Sequence, residues 1–261
     1  MWVQVVEALV FGALIAFPMA LMGSGGSILA MPILVYIFER DVPTAAGTSL
    51  TIVGTMAVAG AVAHYRAGHV QLPTALLFGG VGAVGANLGA RLNPLVPGPV
   101  VLLLLALVML AAAAGVLRSK PRERPSARAS PRRWRPSTLA RLAITGLGVG
   151  VLSGFFGVGG GFLLVPALVF FGEMPIHDAV GTSLCVIALQ AVGGLVGYWT
   201  LGKVDLALAG LFLVGGVGGL LLGLRLARRL SGARLSRAFA SMVIVVALMQ
   251  GYKSLSALWG E

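Results

Sequence analysis

The sequence predicts an all-α integral membrane protein built from two tandem homologous halves, and three observations predict it. Hydrophobic residues make up 58% of the chain and charged residues only 10%, whereas a soluble domain is about a quarter charged. Apolar stretches of membrane-spanning length follow one another, separated by short polar loops, and a transmembrane helix needs about 20 such residues. Shifting the chain by 134 positions also lays Leu21 to Leu92 on Phe155 to Leu226 without a gap, with more than a third of the paired positions identical. That is a tandem duplication.

The elements follow in order. Apolar stretches run over about 5–38, 44–65, 72–92 and 98–117, then 139–172, 178–199, 206–226 and 235–257. The opening Met1-Trp2-Val3-Gln4 lacks the basic start of a cleaved signal peptide, so the first stretch is expected to be retained. The first stretch of each half is too long: about 34 helical residues would reach roughly 50 Å, against a hydrocarbon core near 30 Å. Gly23-Ser24-Gly25-Gly26 and Gly157-Val158-Gly159-Gly160-Gly161 fall where a break is needed. Each half is therefore expected to be a Gly-broken helical hairpin plus three transmembrane helices, at residues 1–117 and 139–261. Residues 118–138 between them, rich in Arg, Pro and Ser, read as a basic cytoplasmic linker by the positive-inside rule. Five crossings per half also bring the Arg225 to Arg237 loop to the cytoplasmic side. Odd units in tandem are inverted relative to each other, so inverted repeats with an axis in the membrane plane are expected.

The net charge of +11 sits at loops and helix ends, which is a topology signal and not a groove for nucleic acid. Cys185 is the single cysteine, which excludes an intramolecular disulfide and a Cys-based metal cluster. No G-x-x-x-x-G-K-[ST] phosphate loop occurs. No buried acidic pair and no nucleophile with a base at helical spacing appears, so neither an enzyme, a metal site nor a cofactor is expected. Membrane lipid is the expected surrounding, and homo-oligomerisation is left open.

Helix N-termini expose unpaired N–H groups and partial positive charge, so the breaks are candidate anion cradles: Gly25, Gly26 and Ser27 in the first half, Gly159, Gly160 and Gly161 in the second. The same glycines would also serve close helix packing. Gly47-Thr48-Ser49-Leu50 recurs as Gly181-Thr182-Ser183-Leu184 and reads as a helix start; Thr48, Ser49, Thr182 and Ser183 would offer hydroxyls to an oxyanion, or cap the helix. Gln190 is the best placed of the few remaining intramembrane polar residues, which include Asn87 and Cys185. His64, His69 and His177 read as interfacial, and Arg91 and Arg225 as snorkelling anchors.

The G-x-G-G-[GS] runs from Gly23 to Pro32 and from Gly157 to Pro166, with the two G-T-S-L segments, make the chain resemble the sulfite exporter TauE/SafE family of permeases over about Phe11 to Tyr252. The resemblance implies a secondary transporter in a bacterial inner membrane. Its substrates would be small sulfur-containing anions such as sulfite, thiosulfate or an organosulfonate such as sulfoacetate, with export as the family's named direction. Alternating access would follow from the inverted halves. The alternatives at this point are a passive anion channel and a transporter of a non-sulfur organic anion. Ser24 and Ser27 stand where the second half has Val158 and Gly161, so the two half-sites are expected to be chemically unequal.

Overall fold

A computed structural model describes residues 2–22, 26–118, 136–170, 174, 176–227 and 232–259. Gly23, Ser24, Gly25, Glu173 and nearly all of the basic linker lie outside them. Among the described residues the chain forms ten α-helices and one short 3-10 turn. They are α1 (Trp2–Met22), α2 (Ser27–Tyr36), α3 (Val42–Arg66), α4 (Leu72–Leu92), α5 (Gly98–Arg118), α6 (Pro136–Phe156), α7 (Gly161–Phe170), α8 (Ile176–Thr200), α9 (Leu206–Ala227) and α10 (Gly232–Trp259), with the turn at Asn93–Leu95. The lengths of α1 to α4 are 21, 10, 25 and 21 residues, and α6 to α9 repeat the series as 21, 10, 25 and 22. Among the described residues six helices are long and apolar enough to cross a membrane. Large apolar side chains point outward along the bundle, among them Leu76, Val84, Ile144, Val214, Leu222 and Val245. Such a surface suits lipid and not water.

Both long first stretches are broken as expected, but the second arm of each hairpin is shorter than a crossing. At about 1.5 Å per residue, α2 and α7 each reach only about 15 Å, half of the hydrocarbon core. The chain does double back. Gly26 packs against the Ile15 carbonyl and Met19 of α1, and Phe38, beyond the end of α2, stacks edge-on with Phe11 at 6.4 Å. Helix α2 therefore starts beside the C-terminal half of α1 and returns toward the end from which α1 came.

Small residues set how the long helices meet. Phe78, Gly82 and Ala86 of α4 lie against Gly146, Gly150 and Gly154 of α6, in the same order along both helices. Leu9, Ala13 and Phe17 of α1 lie likewise against Gly215, Gly219 and Gly223 of α9. Both pairs are parallel and in near backbone contact. Helices α3 and α8 cross antiparallel, Gly47 lying against Tyr198, Gly54 against Ala191 and Gly60 against Leu184. A Cβ at Gly54 would stand 2.6 Å from the Ala191 Cβ, so the crossing requires glycine. With apolar lipid on one side and apolar protein on the other, this close approach and its van der Waals contacts, not the hydrophobic effect, hold the helices together.

One sequence expectation is corrected here. The G-T-S-L segments do not start helices: Thr48 lies more than a turn inside α3, and Thr182 equally far inside α8. The reason is local. The Asp41 carboxylate accepts the Thr44 N–H at 3.4 Å and Pro43 occupies the first turn, so α3 is capped before the G-T-S-L run is reached. The N–H groups of Thr48 and Ser49 are already inside the helical ladder.

Candidate functional site

The second break is the best-built polar feature of the interior. Helix α6 ends at Phe156, and the next residues turn through Gly157 (φ 65°), Gly159 (φ 71°) and Gly160 (φ 65°) before α7 begins at Gly161. These left-handed angles are open to glycine at no steric cost. The last carbonyls of α6 are met by donors from elsewhere: Tyr198 Oη donates to the Gly154 carbonyl at 2.9 Å, which also accepts the Gly157 N–H at 3.3 Å, and Asn93 Nδ2 donates to that of Phe155 at 2.7 Å. Their neighbours thus hold the break open as a defined structure.

At the other end of the break, the first N–H groups of α7 have no carbonyl one turn earlier to bond. Ser153 of α6 and Gln190 of α8 converge on this end. A Cβ at Gly160 would stand 2.9 Å from the Ser153 Cβ and 3.1 Å from Gln190 Oε1. Ser153 is 1% exposed and Gln190 fully buried, yet the Ser153 hydroxyl and both polar atoms of the Gln190 carboxamide have no hydrogen-bond partner within the chain. The carboxamide also lies against Gly82 of α4, where a larger residue would displace it. The Ser49 hydroxyl is buried and unpartnered too. It sits on the α3 face between Ala46, which packs on Gly157, and Val53, which packs on Gly159. Leaving one such group unbonded costs about 1–3 kcal/mol. Three side chains in this state would consume much of a stability of about 5–15 kcal/mol, which a bound hydrogen-bonding ligand would offset.

The structure thus gathers Ser49, Gln190, Gly159, Gly160 and Gly161 at one break and gives other tasks to the remaining expected residues. Thr48 Oγ1 accepts the Asp205 N–H at 2.9 Å, and its counterpart Thr182 Oγ1 accepts the Gln71 N–H at 3.0 Å; these hydroxyls staple α3 and α8 to the loops before α9 and α4. Ser183 bonds back to the Val180 carbonyl at 2.8 Å. Gly26 and Ser27 stand at the first break, both buried, while Gly25 lies outside the described residues. Ser153, Tyr198 and Asn93 are the residues that sequence reasoning missed. For Ser153 the signal is a hydroxyl in an apolar stretch at the position where the first half carries Met19. The methionine of that first break packs on Gly26 as Ser153 packs on Gly160, and Met56 packs on Gly216 as Gln190 packs on Gly82.

A multi-pass helical bundle with broken short helices and buried polar groups at a break is the architecture of a membrane transport protein. The comparisons agree. A family model described as Sulfite exporter TauE/SafE matches residues 8–249, and the chain belongs to that family. A probable membrane transporter protein of Xylella fastidiosa is 38% identical over 254 residues, covering 95% of each chain. The probable membrane transporter protein YdhB of Bacillus subtilis is 32% identical over 216 residues, covering 80% of this chain and 85% of its own. A similarly named protein of Methanocaldococcus jannaschii is 27% identical over 198 residues, or 74% of this chain and 71% of that one. No solved structure matches.

Proposed function

We propose that the chain is a secondary transporter of small sulfur-containing anions in a bacterial inner membrane, with the linker cytoplasmic, and that the anion binds at the second break. The observation that carries the site is the set of buried, unpartnered polar side chains at the second break: Ser153 and Gln190 against Gly160, and Ser49 on the α3 face that packs on Gly157 and Gly159. Two hydroxyls and a carboxamide can donate to an oxyanion without bringing a charge that lipid penalises, and the helix end adds about half a positive charge. Sulfur as the substrate element comes from the family's name alone.

Alternating access would come from inverted repeats, and three features support that reading. Contacts are reciprocal across the 134-residue shift, as a two-fold operator requires: Thr48 bonds Asp205 and Thr182 bonds Gln71, while Gly60 packs on Leu184 and Gly194 on Leu50. The parallel α1–α9 pairing has its counterpart in α4–α6. The counterparts α3 and α8 run antiparallel, the orientation that an axis across the helices and in the membrane plane would require.

Uptake of labelled sulfite into proteoliposomes tests the reading. Wild type should saturate and show counterflow. Gly160→Val, at a left-handed angle and against Gln190, should abolish uptake while the protein still inserts. Non-saturating flux would favour a passive channel, and wild-type rates in Gly160→Val would remove the site from the second break.

A further inference from the structure

We infer that the described arrangement is one end state of the transport cycle, shut toward the Thr200 end of α8 and loosened toward the Arg66 end of α3, with Asn87 as the bolt that holds it; the inference rests on the inverted-repeat reading above. Under the 134-residue shift, the seam between α4 and α8 has its counterpart in the seam between α9 and α3. In the first of these the helices stay close from the site to their ends. Gly82 lies on Gln190, the Ala83 backbone on Gly193, Ala86 on Gly194 and Ala90 on Gly197. Asn87 Nδ2 donates to the Gly193 carbonyl across the seam at 3.2 Å. Small residues let the backbones approach, and lipid offers nothing to replace that hydrogen bond.

The counterpart seam begins alike and then parts. Met56 lies on Gly216 as Gln190 lies on Gly82, but α3 and α9 meet over a much shorter stretch than α8 and α4. Thr55 is exposed, whereas its counterpart Leu189 packs on Gly79. Ala59, Val217 and Leu221 are exposed where Gly193, Ala83 and Asn87 are partly buried. The antiparallel crossing sets Gly54 against Ala191 and Gly60 against Leu184, which brings Met56 level with Leu189, one residue from Gln190. The loosened seam therefore runs from the Arg66 end to the depth of the site and stops at Met56, which is buried. An unbranched thioether is a cover that can swing aside. Side-chain volume favours this end state: α9 carries Val217, Leu220, Leu221 and Leu224 where α4 carries Ala83, Ala86, Asn87 and Ala90. Helix α3 thus cannot come as close to α9 as α8 comes to α4, and Leu221 has no polar group to bolt with. In the opposite end state α8 leaves α4 and the site opens toward the Thr200 end.

Thiol labelling of the full chain in a Cys185→Ser background tests this, with a water-soluble, impermeant maleimide applied to membrane vesicles of either orientation. Thr55→Cys should react at least about tenfold faster than Val245→Cys, which lies midway along α10 at an exposed position outside the seam, and only from the Arg66 side. Equal rates would mean that lipid fills the seam and would overturn the end state. Ala83→Cys should react only slowly from the Thr200 side. Asn87→Leu deletes the hydrogen bond and installs the residue of α9, and should raise that slow rate about fivefold; a folded Asn87→Leu protein with an unchanged rate would overturn the role of Asn87. Once labelled and freed of excess reagent, Thr55→Cys has its seam wedged apart. It should lose sulfite uptake, while methanesulfonate still stabilises the purified protein against thermal unfolding in detergent. Uptake at the unlabelled rate would overturn the seam as a moving part. Absence of both uptake and stabilisation in the unlabelled protein would sink the anion reading itself, a result on which the labelling pattern does not depend.

Discussion

Gln190 and Ser153 separate function from stability at the scale of single residues. Gln190→Leu keeps the volume and removes two unbonded buried polar atoms, so it should leave the unfolding temperature unchanged or raise it, by up to about 1–3 kcal/mol of stability. Sulfite uptake should fall at least about tenfold in the same variant, a loss of about 1.4 kcal/mol of binding. A variant that loses stability and transport together would make Gln190 a packing residue. Thr48→Val predicts the reverse. It strands the Asp205 N–H and should cost about 1–3 kcal/mol in thermal unfolding, with substrate affinity in the surviving fraction unaltered. The roles of these residues were only partly readable from sequence. Gln190 stands out because intramembrane carboxamides are expensive. The Thr48 and Thr182 hydroxyls do not reveal their acceptor role, because each partner is a backbone N–H more than a hundred positions away.

At the scale of elements, the breaks are legible because length alone forces them: no bilayer accommodates a straight helix through Gly26 or Gly160. The half-length of α2 is not legible, since the apolar run continues past its end; a local turn stops it, with Glu39 at φ 53° and the Arg40 N–H reaching back to the Leu34 carbonyl at 3.0 Å. The break at Gly157–Gly160 is held by Tyr198 and Asn93, which belong to α8 and the turn after α4. Tyr198→Phe deletes one donor while keeping the ring, and should cost about 1–1.5 kcal/mol. If the hydroxyl positions the α7 terminus, substrate affinity should weaken as well, read as a raised half-saturation for methanesulfonate in the thermal assay. An unchanged half-saturation would confine Tyr198 to stability.

Over the whole molecule, equivalent positions should report opposite sides of the membrane. Ala67 follows α3 and Leu201, 134 positions later, follows α8; both are exposed. In a Cys185→Ser background, Leu201→Cys should react with an impermeant maleimide from outside and Ala67→Cys only after lysis. Labelling of both from one side would exclude inverted repeats. The end near Leu201 also carries two crossed ion pairs between the loop after α2 and the loop before α9, Arg40–Asp205 at 2.9 Å and Lys203–Asp41 at 3.3 Å. All four groups are partly exposed, so each pair contributes roughly 0–1 kcal/mol and weakens with salt. Burial raises the Asp41 carboxyl, but the hydrogen bonds from Thr44 and Lys203 outweigh it and hold the group below its ordinary range. A depressed carboxylate stabilises the fold above its unfolded pKa and loses that contribution as pH falls through its folded value. Asp41→Asn should therefore lower stability slightly in the neutral region and leave the acid end nearly unchanged, which flattens the acid limb of the stability profile.

The pairing of α1 with α9 and of α4 with α6 also bears on biosynthesis. Helix α1 leaves the ribosome well before its main partner α9, which is translated some two hundred residues later. Helix α1, and α4 with its glycine-rich face, must wait in the bilayer unmatched, exposed to quality-control proteases. A gene cut within the linker should give two fragments that are each degraded when expressed singly and that accumulate together as a complex when co-expressed. Pulse-chase turnover of each fragment, alone and with the other, would measure that mutual dependence.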